Sequence, residues 1–234
     1  MQEIKATPDK LSEYLLSPPG YTAHYNPAEK AGYAGTGVWI HDRVYSVADV
    51  IFMDSFPSDP TANEGRVAHV QLTIDNSQLI IDIFGIYFPN GGKSEDAWKG
   101  KIIFYSEFAK YMDSLRALGH DVLWGGDLNC AHHEIDLARP KENDGKIGFH
   151  PVERAWLDGR VRDDWHDIYR SRYPDMRDIY SWWDVITRSR ERNVGWRIDA
   201  WWGSAGILTT LENIEYLPNH MGSDHCPILV DVSV

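Results

Sequence analysis

Cysteine is nearly missing from this chain: 234 residues contain two, Cys130 and Cys226. Neither sits in a Cys-x-x-Cys pair, so a disulfide framework is excluded and reduced thiols are expected. Long apolar runs are missing too. The longest, Leu79 to Phe88, is interrupted by Asp82 and Gly85 and is far too short to span a bilayer, so no membrane association is expected. Met1-Gln2-Glu3-Ile4-Lys5 lacks the apolar core of a secretory signal, and a cytoplasmic location is the expectation. Positive charge is in deficit: Lys+Arg 23 against Asp+Glu 35 gives a net charge of -12. That balance argues against coating nucleic acid by bulk charge, while leaving room for a local basic groove around a metal site.

What is present is an ordinary globular composition, 43% hydrophobic, which excludes disorder. Thr7 before Pro8, followed by Leu11, Leu15 and Leu16, predicts a brief helix ending at Pro18-Pro19-Gly20. From Tyr21 to Phe88 short β-rich runs follow: Val38-Trp39-Ile40, Val50-Ile51-Phe52, Val67 to Ile74 and Leu79 to Phe88, the last two joined by an Asp75-Asn76-Ser77 turn. Ile102, Tyr105, Phe108, Met112 and Leu115 recur at three or four and form one helical stripe between Trp98 and Leu118. Asp121 to Trp124 reads as a strand, about Pro151 to Tyr173 as helical, and the neighbourhoods of Tyr180 to Trp183, Trp196 to Trp202 and Pro227 to Val234 as strands. With no repeat and no linker, the pattern predicts one α/β domain over residues 1–234.

Gly125-Gly126-Asp127-Leu128-Asn129 delivers a carboxylate at the end of a strand, with an amide two residues on and on the same face if the backbone stays extended. Such groups suit phosphodiester hydrolysis, which needs a held phosphate, an activated water and donors to developing charge. An Asx-rich turn closing the strand is the plainer alternative. Gly222-Ser223-Asp224-His225-Cys226-Pro227 sets an acid beside an imidazole. Neighbouring side chains diverge on a strand, so the two have separate tasks and His225 needs an orienting partner from elsewhere, for which Asp199 is the candidate. A loop histidine satisfied by a backbone carbonyl is the ordinary alternative. His132-His133-Glu134 is a weak zinc signal, because adjacent histidines project apart and no spaced set completes a tetrahedral site. Arg188, Arg190, Arg192 and Arg197, with Arg139 and Lys141, are candidates for phosphate contact, although a solvated face is the usual origin of such runs.

Five pieces occur in one order: Gln2-Glu3-Ile4-Lys5, Ile86 to Gly91, Gly126 to Asn129, Gly195 to Asp199, and Gly222 to His225. That order resembles the exodeoxyribonuclease III-type abasic-site endonucleases of the endonuclease/exonuclease/phosphatase superfamily, along nearly the whole chain. Gly125 to Lys141 and Arg192 to Asp199 look like the DNA-repair branch. The resemblance implies a DNase I-like α/β fold, two packed β-sheets flanked by helices in four layers. It also implies a magnesium-dependent phosphodiesterase, manganese being a possible substitute, that cleaves duplex DNA 5′ to abasic sites and removes nucleotides or blocking groups from 3′ ends.

Carried over position by position, the resemblance makes Glu3 a magnesium ligand with Asp224 close to the metal. Asp127 orients or deprotonates the attacking water, with Asn129 as its polar helper. His225 contacts the scissile phosphate and is held by Asp199, Tyr87 donates near the phosphate, and Asn90 belongs to the same surroundings. Trp182, Trp196 and Ile198 match walls of a pocket for a flipped-out abasic sugar, and Asn143 falls in a DNA-facing loop. Lys93 and Ile186 match positions that press on the duplex. Most other tryptophans, Trp156 and Trp165 included, are expected in the core.

Relatives begin with a strand of the type Ser-Trp-Asn-Val-Asn-Gly, a helix and a second strand before the Gln-Glu motif. This chain begins at that motif, so a strand-helix-strand unit of roughly thirty residues is expected to be lacking, with weaker metal binding or a strand supplied by a partner as consequences. The rival functions are a catalytically poor relative that binds damaged DNA and a phosphoesterase acting on a small molecule. A DNA substrate would put the protein at the nucleoid of a prokaryote or in a eukaryotic nucleus.

Overall fold

The computed structural model describes residues 1–74 and 79–233. The predicted Asp75-Asn76-Ser77 turn lies outside the described residues. Contacts divide the chain into two compact units, one of Met1–Pro89 with Lys99–Gly126, the other of Asn90–Trp98 with Asp127–Val234.

In the first unit the opening segment is pinned. Met1 donates its amino group to the Gly37 carbonyl at 2.9 Å, and the amides of Ile4 and Lys5 bond to Gly35 and Ala34. The predicted N-terminal helix appears as two pieces, a 3-10 turn over Pro8–Lys10 and α1 (Glu13–Leu16). Ser12, whose hydroxyl accepts from the Leu15 amide, is the cap of α1, whereas Thr7 makes no capping bond and turns to Asp9.

Strands β1 (Tyr21–Asn26) and β2 (Thr36–His41) form an antiparallel pair, and β3 (Ala48–Met53), β4 (Val67–Ile74), β5 (Ile80–Tyr87) and β6 (Asp121–Asp127) lie side by side in that order. Helix α2 (Glu95–Ala117) carries most of the predicted stripe: Tyr105, Phe108, Met112 and Leu115 are buried, with Phe104 beside them, while Ile102 is half-buried. Phe108 meets Phe88 and Trp124 edge to face, each at 5.4 Å between centroids, an arrangement that adds specific geometry to the roughly 1.5–3 kcal/mol each buried large side chain contributes. Asp82, which breaks the apolar run, is fully buried because His69 and His120 each reach one of its carboxylate oxygens at 2.6 Å.

In the second unit the helical region predicted over 151–173 is interrupted. Helix α4 (Pro151–Arg162), which follows the short α3 (Pro140–Asn143), opens on a His150–Glu153 capping box and stops where Asp164 takes a left-handed φ of 63°. Strand β7 (His166–Asp167) and helix α5 (Ile168–Arg172), capped by the Asp167 carboxylate, follow. Strand β8 (Asp199–Gly203) pairs antiparallel with β7. Helix α6 (Ala205–Thr209) leads to β9 (Leu211–Tyr216), which pairs with β10 (Ile228–Val232); both α6 and β9 escaped the sequence reading. Tyr180 to Trp183 forms isolated bridges in place of a full strand. Trp165 is buried as expected, while Trp156 is half-buried under Arg160.

Candidate active site

Strand β6 places a glycine before its last residue for a steric reason. Gly126 has φ 127°, and a Cβ there would lie 2.3 Å from the Ile86 carbonyl oxygen, so no other residue fits before Asp127. Past it the backbone does not stay extended. Asn129 is left-handed at φ 51°, and its amide donates to Asp127 Oδ1 at 2.8 Å, which is the Asx turn. The acid and amide therefore meet through a turn, not by strand alternation. Asn90 Nδ2 donates to Asn129 Oδ1 at 2.8 Å, joining a third predicted residue to the pair. Asp127 itself is 5% exposed.

The expected His-Asp pair is present. His225 Nδ1 and Asp199 Oδ2 are 2.8 Å apart. Burial opposes protonation of the imidazole, but the Asp199 charge, with smaller contributions from Asp127 and Asp224, raises it to about 9. Asp224 has a separate partner, as its divergence from His225 requires: its Oδ2 accepts from Trp182 Nε1 at 3.1 Å.

The segment Tyr180 to Trp183 is the rail that sets these groups. Ser181 Oγ accepts from the amides of Ile198 and Asp199, at 3.0 and 2.9 Å. On its other side the Cys226 amide bonds to the Ser181 carbonyl, and the Trp183 amide to the Asp224 carbonyl. The two halves of the His-Asp pair are thus fixed to one short backbone stretch. The Cys226 thiol beneath is pushed up to about 11, chiefly by burial, which keeps it inert.

Of the proposed pocket walls, Trp196 and Ile198 are half-buried and pack on Ala131, Leu137 and Phe149. Asn143 bonds within its own segment, donating to the Arg139 carbonyl and accepting from Lys146. Lys93 is exposed, and Ile186 projects with 93% of its surface exposed. Arg197 is 3% exposed and bound to Asp136 and Asp167, so it is no phosphate contact: a buried guanidinium with two carboxylates cannot reach DNA. The rings of His132 and His133 stack at 3.7 Å, where divergence was expected, and His132 pairs with Asp158.

In the first unit Tyr87 donates its hydroxyl to Glu3 Oε1, and Lys5 Nζ reaches Glu3 Oε2 at 3.0 Å. Both Glu3 and Lys5 have φ 52°, a left-handed conformation unusual away from glycine. Tyr87 therefore serves the Glu3 carboxylate in this structure. Among the described residues no three His, Cys, Asp or Glu side chains form a metal-holding group. The residues missed by sequence reading, Ser181, Trp183 and Tyr216, act through ordinary hydrogen bonds that carry no motif.

The model of the Endonuclease/Exonuclease/phosphatase family matches residues 1–225. An exodeoxyribonuclease of Bacillus subtilis is 31% identical over 234 residues, covering all of this chain and 87% of its own. A DNA-(apurinic or apyrimidinic site) endonuclease of Dictyostelium discoideum is 32% identical over 240 residues, and the chain spans 62% of that protein. Among solved structures, an AP endonuclease of Leishmania major superposes with a TM-score of 0.84 at 26% identity, covering 98% of this chain and 76% of the other. The mixed α/β fold of packed sheets flanked by helices is therefore that of the AP endonucleases. The family is a class of divalent-metal-dependent enzymes, and no described helix is long and apolar enough to cross a membrane. With its motifs, its His-Asp pair and its fold in agreement, the chain belongs to the endonuclease/exonuclease/phosphatase family, on the exodeoxyribonuclease and abasic-site endonuclease branch.

Proposed function

We propose that the protein is a DNA-repair phosphodiesterase that incises duplex DNA on the 5′ side of abasic sites and trims blocked 3′ ends. The observation that carries this reading is the His225–Asp199 pair at 2.8 Å, anchored with Asp224 on the Ser181–Trp183 rail. Asp127 accepts a proton from the attacking water as oxygen bonds to phosphorus, and Asn129, braced by Asn90, orients that water. His225 donates to a phosphate oxygen as charge builds. The bond from phosphorus to the 3′ oxygen breaks, the leaving oxygen takes a proton from solvent to become a 3′ hydroxyl, and the abasic sugar keeps the 5′ phosphate. Trp182, Trp196 and Ile198 wall an apolar slot for the base-free sugar, whose extrusion costs little because it has no base to unstack. Lys93, Asn143 and Ile186 face the duplex around the lesion.

Magnesium is the cation we assign, with manganese as a substitute. Glu3 in the first unit and Asp224 in the second are both carboxylates, the oxygen donors this hard cation takes. Magnesium keeps several waters and takes substrate phosphate as ligand, so a preformed protein cage is not required. When bound, it neutralises phosphate charge. Tyr87 and Lys5 hold the Glu3 carboxylate, and Trp182 holds that of Asp224.

The test is a labelled duplex with one abasic site, incubated with and without magnesium, with Asp127→Ala and His225→Ala as controls. Metal-dependent nicking is expected, lowered about 10²–10⁴-fold in each variant, the range for a proton-transfer group. Equal cleavage by all three proteins contradicts the reading. Binding of the duplex without nicking favours a recognition module.

A further inference from the structure

Arg190 lies in the 3-10 turn Ser189–Arg192, and its guanidinium is directed at a single loop. Nη1 donates to the Ser223 carbonyl at 2.8 Å, and Nη2 donates to those of Pro218 and His220 at 2.8 and 2.9 Å. The guanidinium also lies over the Trp183 ring at 4.5 Å. Three carbonyls of one loop therefore converge on one cation, in charge-assisted bonds that are stronger than neutral ones.

Within the loop the His220 amide bonds to the Leu217 carbonyl at 3.1 Å, and the Ser223 hydroxyl oxygen accepts from the His225 amide at 3.1 Å. Every residue from Pro218 to Ser223 is exposed, Gly222 sits at φ 116°, and the chain then enters Asp224 and His225 directly. Beside it lies a half-open pocket of ≈ 440 Å³ walled by Tyr180, Trp183, Arg190, Asn193, Pro218 and Met221. The loop thus borders a pocket, and the guanidinium meets three of its carbonyls. Arg190 Nε is buried without a partner among the described residues. The guanidinium donors point at protein carbonyls, which removes Arg190 from the phosphate contacts that the arginine-rich sequence suggests.

We propose that Arg190 is a positioning residue for the reaction: by holding the carbonyls of Pro218, His220 and Ser223 it fixes the loop that delivers Asp224 and His225. The catalytic consequence rests on the phosphodiesterase reading above, whereas the clamp itself does not.

The test uses the full chain with Arg190→Ala and Arg190→Lys, read by amide hydrogen exchange without DNA and by kinetics on the abasic duplex. In Arg190→Ala, exchange over residues 217–225 is expected to speed up at least about tenfold while β8 and α4 keep their protection. The kcat is expected to fall at least about tenfold with KM within about threefold, because the loop sets the reacting groups and not the affinity. Millimolar guanidinium, which the cavity can admit, is expected to restore part of the kcat of Arg190→Ala and none of that of His225→Ala. Arg190→Lys keeps the charge but cannot span three carbonyls, and falls between. Wild-type exchange in the loop overturns the proposal, and so does a raised KM with unchanged kcat, the mark of a phosphate contact. Should Arg190→Ala not fold, the lysine variant decides: loosened loop exchange supports the clamp, and wild-type exchange with wild-type kcat overturns it. If the unmodified protein fails to nick abasic DNA, the functional reading falls while the exchange measurement still decides the clamp.

Discussion

Arg197 and Asp199 are two residues apart, yet they sit in opposite electrostatic settings. Around Arg197 every charge is answered: Nε meets Asp136 at 2.7 Å, Nη2 meets Asp167 at 2.6 Å, Nη1 reaches the Tyr216 hydroxyl, and Arg170 adds a second cation on Asp136. Arg197, Asp136, Asp167 and Tyr216 are all buried. Around Asp199 the pairing is deliberately incomplete. The carboxylate takes one nitrogen of His225, whose side chain stays 23% exposed with Nε2 turned to no partner among the described residues. A closed network fixes backbone, while a partly open one keeps a donor for substrate. The Tyr216 hydroxyl joins the two, accepting from Arg197 and donating to the Asp199 carbonyl at 2.8 Å.

Substitutions on the two sides of this contrast should fail in different ways. The largest effect belongs to His225→Ala: incision should drop by about 10²–10⁴ with a nearly unchanged melting temperature, measured by single-turnover nicking and a thermal scan. A collapse of stability together with activity would erase the contrast. Asp136→Asn should do the reverse, costing about 3–5 kcal/mol in urea unfolding, because Arg170 loses its carboxylate and the buried Arg197 loses one of its two.

The pH dependence follows from the same carboxylate. Burial alone would raise the Asp136 carboxyl, but Arg197 and then Arg170 hold it well below the usual carboxylate range. A depressed folded-state value contributes stability that is complete above the unfolded value of about 4 and is lost as pH falls below it. The urea midpoint of the wild type should therefore drop between about pH 5 and pH 3, and drop less in Asp136→Asn. Equal acid sensitivity in the two proteins would place the protonation elsewhere. The smallest effect is expected for Tyr216→Phe, about 0.5–1.5 kcal/mol for one buried hydroxyl and a minor loss of rate. A large rate loss there would show that the buried network tunes Asp199 as well as supporting it.

How much of this was legible in the sequence depends on the distance over which the information acts. The α2 stripe, β3 to β5 and the pairing of His225 with Asp199 were readable, because periodicity and a short motif specify them locally or by family order. The break after Arg162 was not, since Asp164 reads as one more polar helix position until its left-handed φ is seen. Asp82 looked like an interruption of an apolar strand and is instead the centre of a buried His69–His120 cluster, a contact made across 13 and 38 residues of chain. Arg190 and Arg197 read alike as surface charge. Only tertiary placement separates a loop clamp from a buried ion pair, and both from a phosphate contact. Ser181 was invisible for the same reason: its hydroxyl matters through two backbone amides 17 and 18 residues away.

The central claim is that Asp199 and His225 act on one phosphodiester as a unit. The most direct measurement is the single-turnover incision rate of an abasic duplex by Asp199→Asn, His225→Ala and the double variant. Groups that act together lose their contribution once, so the double variant should be no slower than the more damaged single variant. Multiplicative losses, with each substitution slowing the reaction independently of the other, would contradict it.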